Sequence, residues 1–348
     1  MTDVLVIGTG AVGCAVAAVL ADQGRDVVLA GVPQPTDASQ VAAGMIAPLS
    51  EAALDPAARD GAAVLNAGAG LWPAFAERFG VPLRRCGGLL LAPDAPAGDH
   101  ARFPGERIDL SEARSLTPFL ERWAGAIHWL PEEGAVDAAA ALACLAAEVV
   151  RRGGRRIEAP VAAAPDGSWL FPGGRIRAGR TVLATGQAGQ AMAGEVPELG
   201  CLAPIRGQIL RTAPGTVVPS APFIRGPGAY VVPQSDGTAM IGATMEAGTD
   251  SLAPSEATTR ALMGATDGFA PTLASQAVIA RVGVRAATPD ALPMVGPCSR
   301  PDLLLATGLR RNGWLLAPLV AGMIADYLAG EDPGPHARRL DPQRFERP

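Results

Sequence analysis

A glycine-rich turn near the start of the chain constrains the fold more than any other feature. It reads GTGAVG at residues 8–13, directly after the apolar run 4–7, which predicts a buried parallel strand. Residues 11–21 then predict a helix, and residues 26–29 a second strand. Because a parallel β-α-β unit of this kind has short strand-to-helix connections, the motif predicts a parallel-sheet α/β fold that binds a dinucleotide.

Each glycine of the turn has its own steric role in such a fold. Gly8 allows the tight turn, Gly10 lets the backbone approach a pyrophosphate, and Gly13 lets helix and strand pack closely. The first amides of the helix, at Ala11 and Val12, then face the phosphates. A glycine-rich turn that binds nothing is the alternative, and the strand before it and helix after it favour dinucleotide binding.

The end of the second strand lacks the acidic residue that commonly holds the ribose hydroxyls about 20 residues after the glycines. The sequence there is Leu29-Ala30-Gly31. Two substitutes stay open: Asp37 from the following loop, or backbone at Gly31 and Val32. On this interpretation, a glutamate at Gly31 is expected to be tolerated and to tighten cofactor binding.

Composition excludes several classes of function. The 348 residues carry a net charge of −5 with no basic run, which argues against nucleic acid or an anionic membrane as partner. All 29 basic residues are Arg, so a Schiff-base lysine and a P-loop lysine are excluded. Five scattered cysteines and three distant histidines predict no metal site and no disulfide framework, which favours the cytoplasm.

No membrane or secretion signal is expected. Residues 1–21 are apolar, but their start carries Asp3 and no Lys or Arg, which argues against a signal peptide. The apolar segment 313–325 is shorter than the roughly 20 residues that a spanning helix needs.

The parallel fold is predicted to continue late in the chain, around an inserted second domain. Residues 138–152 predict a helix with Asp137 as N-cap, followed by strands at 156–161 and 181–184. A strand at 303–306 and a helix at 314–328 follow near the end. The tail after Asp332 is expected to be loosely held.

The intervening segment has a different character. Residues 204–212 predict a strand, and residues 230–233 and 240–243 flank the turn Ser235-Asp236-Gly237. These residues predict an antiparallel hairpin, which is foreign to a purely parallel sheet.

Seven segments resemble the D-amino-acid oxidase family, and in particular its glycine oxidase branch. The loop ASQVAAGMIAP at 38–48 resembles the family's flavin-contacting loop. Later segments keep the family order: WLPEEGAVD at 129–137, IRGQ at 205–208, YVVP at 230–233, GATM at 242–245, GVR with TPDALP between 283 and 293, and ATGLRRNGWLLAP at 306–318. The resemblance covers residues 1 to about 330.

The resemblance implies an α/β fold in which a Rossmann-like FAD-binding domain with a parallel sheet carries an α+β substrate domain with a largely antiparallel sheet. We assign residues 1–80, 138–200 and 299–332 to the FAD-binding domain. Residues 81–137 and 201–298 are assigned to the substrate domain, and 333–348 to a C-terminal tail.

The resemblance also implies further FAD contacts beyond the glycine-rich turn. They are Ser39, Ala43, Gly44, Met45, Val161, Gly186, Gly308, Arg311, Asn312, Gly313 and Trp314. Asn312 and Gly313 start a long predicted helix, whose partial positive charge would stabilise the anion of the reduced flavin. No cysteine stands in the setting that covalent flavin attachment uses in relatives, and Cys298 is in the wrong place, so non-covalent FAD is expected.

At the substrate end, the resemblance places Arg285 in the role of carboxylate anchor. Arg281 lies at strand spacing from it and is the alternative, with Arg311 as a further candidate. Tyr230 and Met245 match substrate-wall positions, although ordinary strand packing would also explain them. Gly228 stands where the glycine oxidase branch can carry a histidine.

The implied activity is oxidation of glycine or another small amino acid or amine, with oxygen as electron acceptor. The family supplies the glycine imine to thiazole synthesis for thiamine. A D-amino-acid dehydrogenase that reduces a carrier and a non-catalytic FAD-binding subunit are the alternatives. The oligomeric state stays open between monomer and homo-oligomer.

Overall fold

A six-stranded sheet forms the base of the molecule, for which a computed structural model describes residues 2–92 and 103–345. The predicted β-α-β opening is present, with buried apolar strands at its centre. All neighbours in this sheet are parallel except the two strands at one edge. The strands, in spatial order, are Met294–Pro297, Leu303–Thr307, Ala178–Leu183, Thr2–Ile7, Val27–Ala30 and Arg155–Ile157.

Long helices cover one face of this sheet. The Ala11–Asp22 helix is buried almost throughout, and its small residues let the Gly313–Ala329 helix pack directly against it. Asp137 caps the Ala138–Arg151 helix by accepting a hydrogen bond from the Ala140 amide at 3.1 Å, as the sequence predicts. The fourth long helix on this face is Ala62–Phe79.

A three-stranded antiparallel sheet covers the opposite face, built from Ala162–Ala163, Trp169–Phe171 and Gly174–Ile176. Trp169 packs into the apolar cluster on that face, and its indole N–H donates to Thr181 Oγ1 at 3.0 Å. The strand predicted at 156–161 ends early, at Ile157, because Pro160 has no amide for a sheet hydrogen bond.

A larger mixed sheet stands above the first one. The predicted hairpin is present: Tyr230–Pro233 pairs antiparallel with Ala239–Gly242, with Val231 opposite Ile241. Among the described residues this sheet has nine strands, one of which, Val278–Ala287, pairs along the full length of Ala203–Thr212. The others are Glu246–Ala247, Phe223–Arg225, Gly88–Ala92, Ala126–Leu130 and Glu106–Ile108.

Short elements join the two large sheets. A small antiparallel sheet consists of Met45–Ile46, Gly134–Val136 and Leu83–Arg84. The remaining helices are Ala38–Val41, Pro48–Leu54, Pro56–Arg59, Leu110–Leu116, Glu256–Asp267, Pro271–Ala274 and Ala337–Leu340, with 3₁₀ turns at Gly186–Met192, Pro197–Cys201 and Pro342–Phe345.

The predicted fold class is confirmed, with a parallel sheet and a largely antiparallel one. The division of the chain into domains stays a prediction. Met294–Pro297, assigned above to the substrate domain, hydrogen-bonds to Leu303–Thr307 within the parallel sheet, which favours a boundary before Met294. Over the described ranges, no helix is both long enough and apolar enough to cross a bilayer.

The expectation of a loosely held tail is wrong for its described part. Leu340 is fully buried in the helical core, and Arg344 binds the Asp290 carboxylate at 2.8 Å and the Leu292 carbonyl at 2.8 Å. These two side chains help to hold a polar segment in place, which composition alone does not reveal.

Leu340→Ala is therefore expected to lower the free energy of unfolding by about 2–5 kcal/mol, because it removes a fully buried side chain. Leu252→Ala, at a position that is 48% exposed, is the matched control and should change it by less than about 1 kcal/mol. Urea unfolding followed by circular dichroism measures both. Equal stability of the two variants would contradict the packing of the tail.

Candidate active site

A cleft between the parallel sheet and the nine-stranded sheet contains two adjoining cavities. The space between their walls, open solvent included, is about 710 Å³ in the one called the larger cavity and about 480 Å³ in the one called the smaller cavity. Ala38 and Arg285 contribute to the walls of both, so the cavities form one continuous cleft. Such a long cleft at the carboxyl ends of parallel strands suits an elongated dinucleotide.

The glycine-rich turn forms one end of the smaller cavity. Gly8 has φ of +122°, and a Cβ atom there would lie 2.2 Å from the Ala184 carbonyl oxygen. A Cβ atom on Gly13 would lie 1.8 Å from the Gly8 carbonyl oxygen. Only glycine therefore allows strand and helix to approach this closely.

The start of the Ala11–Asp22 helix faces the smaller cavity through Gly10, Ala11 and Val12. Gly10 is the N-cap and provides no side-chain acceptor, while Ser39 Oγ accepts a hydrogen bond from the Ala11 amide at 3.0 Å. The next amides have no acceptor within the helix, since the first turn lacks preceding carbonyls. A phosphate at this position would satisfy them.

The other walls of the cleft hold most of the remaining predicted cofactor residues. Ser39, Gly186, Gly308 and Gly313 line the smaller cavity, and Ala43, Gly44, Met45, Arg311, Asn312 and Trp314 line the larger one. Asn312 is the N-cap of the Gly313–Ala329 helix, whose positive end therefore faces the cleft. The Trp314 indole N–H donates to the Ser39 carbonyl at 3.1 Å and joins that helix to the Ser39 loop.

Five predicted cofactor residues lie outside both cavity walls: Gly8, Gly13, Gly31, Val32 and Val161. Gly8 and Gly13 act through the shape of the turn. Val32 is 41% exposed, and Val161 packs against the apolar cluster beneath the three-stranded sheet.

The expectation that a glutamate is tolerated at Gly31 is wrong. Gly31 has φ of +148°, a conformation that side chains with a Cβ atom rarely adopt, and a Cβ atom would lie 3.3 Å from the Thr9 methyl group. The positive φ at the end of this strand therefore requires glycine at position 31. One oxygen of Asp37, Oδ2, accepts a hydrogen bond from the Gln34 amide at 2.8 Å, and Asp37 stays open as a ribose ligand.

On the far wall of the larger cavity, the structure brings Arg285, Tyr230 and Met245 together. Arg285 lies flat over Gly207, where a Cβ atom would come within 2.2 Å of Nη1. Its Nη1 donates to the Thr244 carbonyl at 3.2 Å and contacts Met245 Sδ at 3.3 Å. Arg281, four residues earlier, instead donates to the Pro35 carbonyl outside the cavity.

Arg285 is half-buried, and among the described residues no carboxylate lies within ion-pair distance of it. Burial lowers the pKa of its guanidinium from the ordinary value. Burial also raises the pKa of the Tyr230 phenol, which therefore stays protonated at neutral pH and can donate a hydrogen bond. An anion between these two side chains would pair with the Arg285 guanidinium and accept a hydrogen bond from the Tyr230 phenol.

Sequence reasoning missed a buried ion network at the edge of the larger cavity. Glu51 pairs with Arg225 and, at 3.0 Å, with Arg311. Asp55 pairs with Arg310 and lies 3.7 Å from Arg311. Glu51 and Asp55 lie on a segment next to the recognised loop at 38–48, and no local pattern signals that their partners come from residues 225 and 310–311.

Glu133 is a second buried carboxylate near this network. Its two oxygens accept hydrogen bonds from Ser50, from the amide at 2.8 Å and from the hydroxyl at 2.5 Å. Burial raises its pKa to about 7, against the opposing effects of Ser50 and Arg225. Within the described part of the chain, no group of three or more His, Cys, Asp or Glu is placed to hold a metal ion.

Comparison with known families explains the cleft. Residues 3–327 match the family model described as FAD dependent oxidoreductase (DAO). The chain belongs to this family. It is an FAD-dependent oxidoreductase.

Individual relatives agree with this assignment. The chain is 29% identical to the bifunctional protein ThiO/ThiG of Trichormus variabilis, over 99% of this chain and 55% of that protein, so it spans about half of its length. It is 28% identical to glycine oxidase of Geobacillus kaustophilus, over 94% of this chain and 92% of that protein. The crystal structure of that glycine oxidase has the same fold, with a TM-score of 0.84, 24% identity and coverage of 99% and 98%.

The residues of this FAD-dependent oxidoreductase fit the cofactor. The glycine turn is a cradle that any Cβ would fill, and two helix N-termini face the cleft without side-chain caps. Thr185 Oγ1, beside Gly186, is buried and has no hydrogen-bond partner among the described residues.

Gly13→Ala is expected to abolish FAD retention, because the new methyl group would collide with the Gly8 carbonyl and displace the helix N-terminus. The ratio of flavin to protein absorbance after purification measures the loss, which should exceed tenfold. Gly264→Ala, in a helix with open space around the added carbon, is the control and should keep full occupancy. Full occupancy of the Gly13 variant would contradict the packing described here.

Glu133 predicts a pH dependence of stability. Its folded-state pKa of about 7 lies above the ordinary 4.5, so its contribution to stability is fully present below about pH 4.5 and is lost as pH rises through about 7. Glutamine cannot titrate. Between pH 5 and pH 8, the free energy of unfolding of Glu133→Gln should therefore fall by about 2–3 kcal/mol less than that of the parent. Urea unfolding at both pH values tests this, with Glu106→Gln on an exposed edge strand as control. Parallel pH profiles for parent and Glu133 variant would refute it.

Proposed function

We propose that this enzyme oxidises the amine of a small amino acid, with glycine as the first candidate. The observation that carries the proposal is Arg285: a half-buried guanidinium on the cavity wall with no carboxylate partner among the described residues. Burying an unpaired cation is costly, and an incoming carboxylate removes that cost. The planar fork of Arg can hold both oxygens of a carboxylate at once.

The neighbouring side chains support a small substrate. Tyr230 presents a protonated phenol beside Arg285, suited to a hydrogen bond with a carboxylate oxygen. Met45, Ile209 and Met245 supply apolar surface to the same cavity. In the part of the cleft that a bound flavin ring would leave open, these walls favour a substrate with a short side chain.

The proposed reaction is balanced as glycine, water and oxygen giving glyoxylate, ammonia and hydrogen peroxide. Bound FAD would supply the redox chemistry, as acceptor of the hydride equivalent that leaves the Cα–H bond, with oxygen as the final electron acceptor. The resulting imine is hydrolysed by water. We further propose that this imine serves thiazole synthesis for thiamine, which the similarity to ThiO/ThiG supports.

The chain's own residues orient the substrate and need not supply a base. The cavity carboxylate of Glu51 is engaged by two arginines, which hold its pKa below the usual range against the opposing effect of burial. It is therefore a poor proton acceptor, and we propose that the substrate reacts as the neutral amine. The N-terminus of the Gly313–Ala329 helix provides positive charge where electron density arrives.

Purified protein with a yellow flavin spectrum, bleached by glycine without oxygen, would support the proposal. Glycine, sarcosine and D-alanine should be compared, and ammonia, glyoxylate and peroxide measured. Peroxide equal to ammonia identifies an oxidase, whereas turnover only with an added electron carrier identifies a dehydrogenase. Flavin that none of these amines bleaches would exclude the proposed substrate class. Acid denaturation should release all the FAD, since we propose that it is held non-covalently.

Arg285→Met should leave FAD bound and lower kcat/KM for glycine by about 30-fold to several thousand-fold, corresponding to roughly 2–5 kcal/mol. Arg285→Lys should recover only part of the loss, since a point charge cannot reproduce the fork. Arg281→Met, on the same strand but outside the cavity, is the control and should stay within about threefold of the parent. Retention of activity in the Arg285 variant, or its loss in the Arg281 variant, would remove Arg285 as carboxylate anchor.

A further inference from the structure

Three charged side chains meet at the edge of the larger cavity, and we name them the Glu51 bridge: Glu51, Arg225 and Arg311. Glu51 lies on the Pro48–Leu54 helix and Arg225 ends the strand Phe223–Arg225. Arg311 precedes the Gly313–Ala329 helix, which packs on the parallel-sheet side of the cleft. The bridge therefore joins the nine-stranded sheet to the wall that carries the cofactor residues.

The bridge is nearly closed to solvent. The side chains of Glu51 and Arg225 are 6% and 5% exposed, and that of Arg311 is 20% exposed. Glu51 and Arg311 line the larger cavity, whereas Arg225 lies behind Glu51 and does not reach the wall. Removing one partner of such a group leaves a buried charge uncompensated, which is far more costly than losing a surface pair.

Arg225 is also placed next to the substrate side of the cleft. It lies directly opposite Tyr230 in the antiparallel pairing of their strands, so both side chains leave the sheet on the same face. Two adjacent strands thus present Tyr230 to the cavity and supply the cation that holds Glu51.

Electrostatics indicates how Arg225 acts through Glu51. Burial alone would raise the pKa of Glu51, and Arg225 is the strongest influence that lowers it, followed by Arg311; Asp55 acts in the opposite direction. Without Arg225, Glu51 would be a buried carboxylate with one cation fewer and would take up a proton more readily. A neutral Glu51 would release Arg311, whose alternative partner, Asp55, lies 3.7 Å from Nη1.

We propose that Arg225 is a positioning residue for this active site: it fixes the Glu51 carboxylate, which in turn holds the Arg311 guanidinium at the cavity wall near Arg285 and Tyr230. Arg225 has this positioning role in the FAD-bound enzyme, whichever amine the enzyme oxidises. Only its effect on turnover rests on the proposed function.

The test compares Arg225→Met, Arg225→Lys, Glu51→Gln and the double variant Arg225→Met with Glu51→Gln, all as FAD-loaded protein. Arg152→Met is the matched control, because Arg152 pairs with Glu148 and Asp22 on helices away from the cleft. Two readouts do not require turnover. One is the dissociation constant of acetate, a carboxylate without an amine, from perturbation of the flavin spectrum. The other is the visible circular dichroism of the bound flavin.

We expect Arg225→Met to weaken acetate binding at least tenfold, which corresponds to about 1.4 kcal/mol, and to alter the flavin dichroism. Arg225→Lys should restore part of both signals. The double variant should match Glu51→Gln within about twofold, because a residue that acts only through Glu51 has no effect once that carboxylate is gone. Arg152→Met should leave both signals unchanged.

The proposal is overturned if Arg225→Met keeps the parent's acetate affinity and dichroism, or if the two single losses add in the double variant. If Arg225→Met fails to retain FAD, Arg225→Lys and Glu51→Gln decide, and parent-like signals in both overturn it. If the parent neither oxidises glycine nor binds acetate, the proposed function fails separately. The dichroism of the variants then decides the positioning role on its own.

Discussion

The contact between the backbones of Gly8 and Gly13 sets the geometry on which the cleft depends. It lets the Ala11–Asp22 helix start immediately at the end of its strand, so its free amides point at one spot. The small side chains of that helix admit the Gly313–Ala329 helix alongside it. Both helices therefore bring their N-termini to the same cleft. Their partial positive charges would stabilise the phosphates of a bound dinucleotide cofactor at one helix and its ring at the other.

The opposite wall follows a different principle. The pairing of Val278–Ala287 with Ala203–Thr212 places Arg285 over Gly207, where the absence of a side chain leaves room for the guanidinium. A buried cation without a counter-ion destabilises the folded chain unless a ligand compensates it. Such a local cost is typical of a binding site, where stability is given up for affinity. The parallel-sheet side is thus suited to bind the cofactor, and the nine-stranded sheet is suited to bind an anion.

Much of this arrangement could be predicted from the sequence, because its signals are local. The strand–glycine–helix opening, the Asp137 cap and the Ser235–Gly237 turn are each encoded within a few residues, and each appears where it was expected. Features that depend on tertiary contacts were missed or wrong. The φ of Gly31 is not visible in the letters Leu29-Ala30-Gly31, and the tail is fastened by Leu340 and Arg344 through partners that composition does not identify.

The Glu51 bridge is the strongest example of such a non-local feature, and it bears on which substrates the cleft accepts. Of the two guanidinium groups on the wall of the larger cavity, Arg311 already faces Glu51 at 3.0 Å, whereas Arg285 has no carboxylate partner among the described residues. On the proposed function, a substrate with one carboxylate would pair with Arg285 and leave the bridge intact. A second carboxylate would have to displace Glu51 from Arg311 and leave a buried acidic side chain short of a cation, so the charge balance of the wall favours monocarboxylic amines.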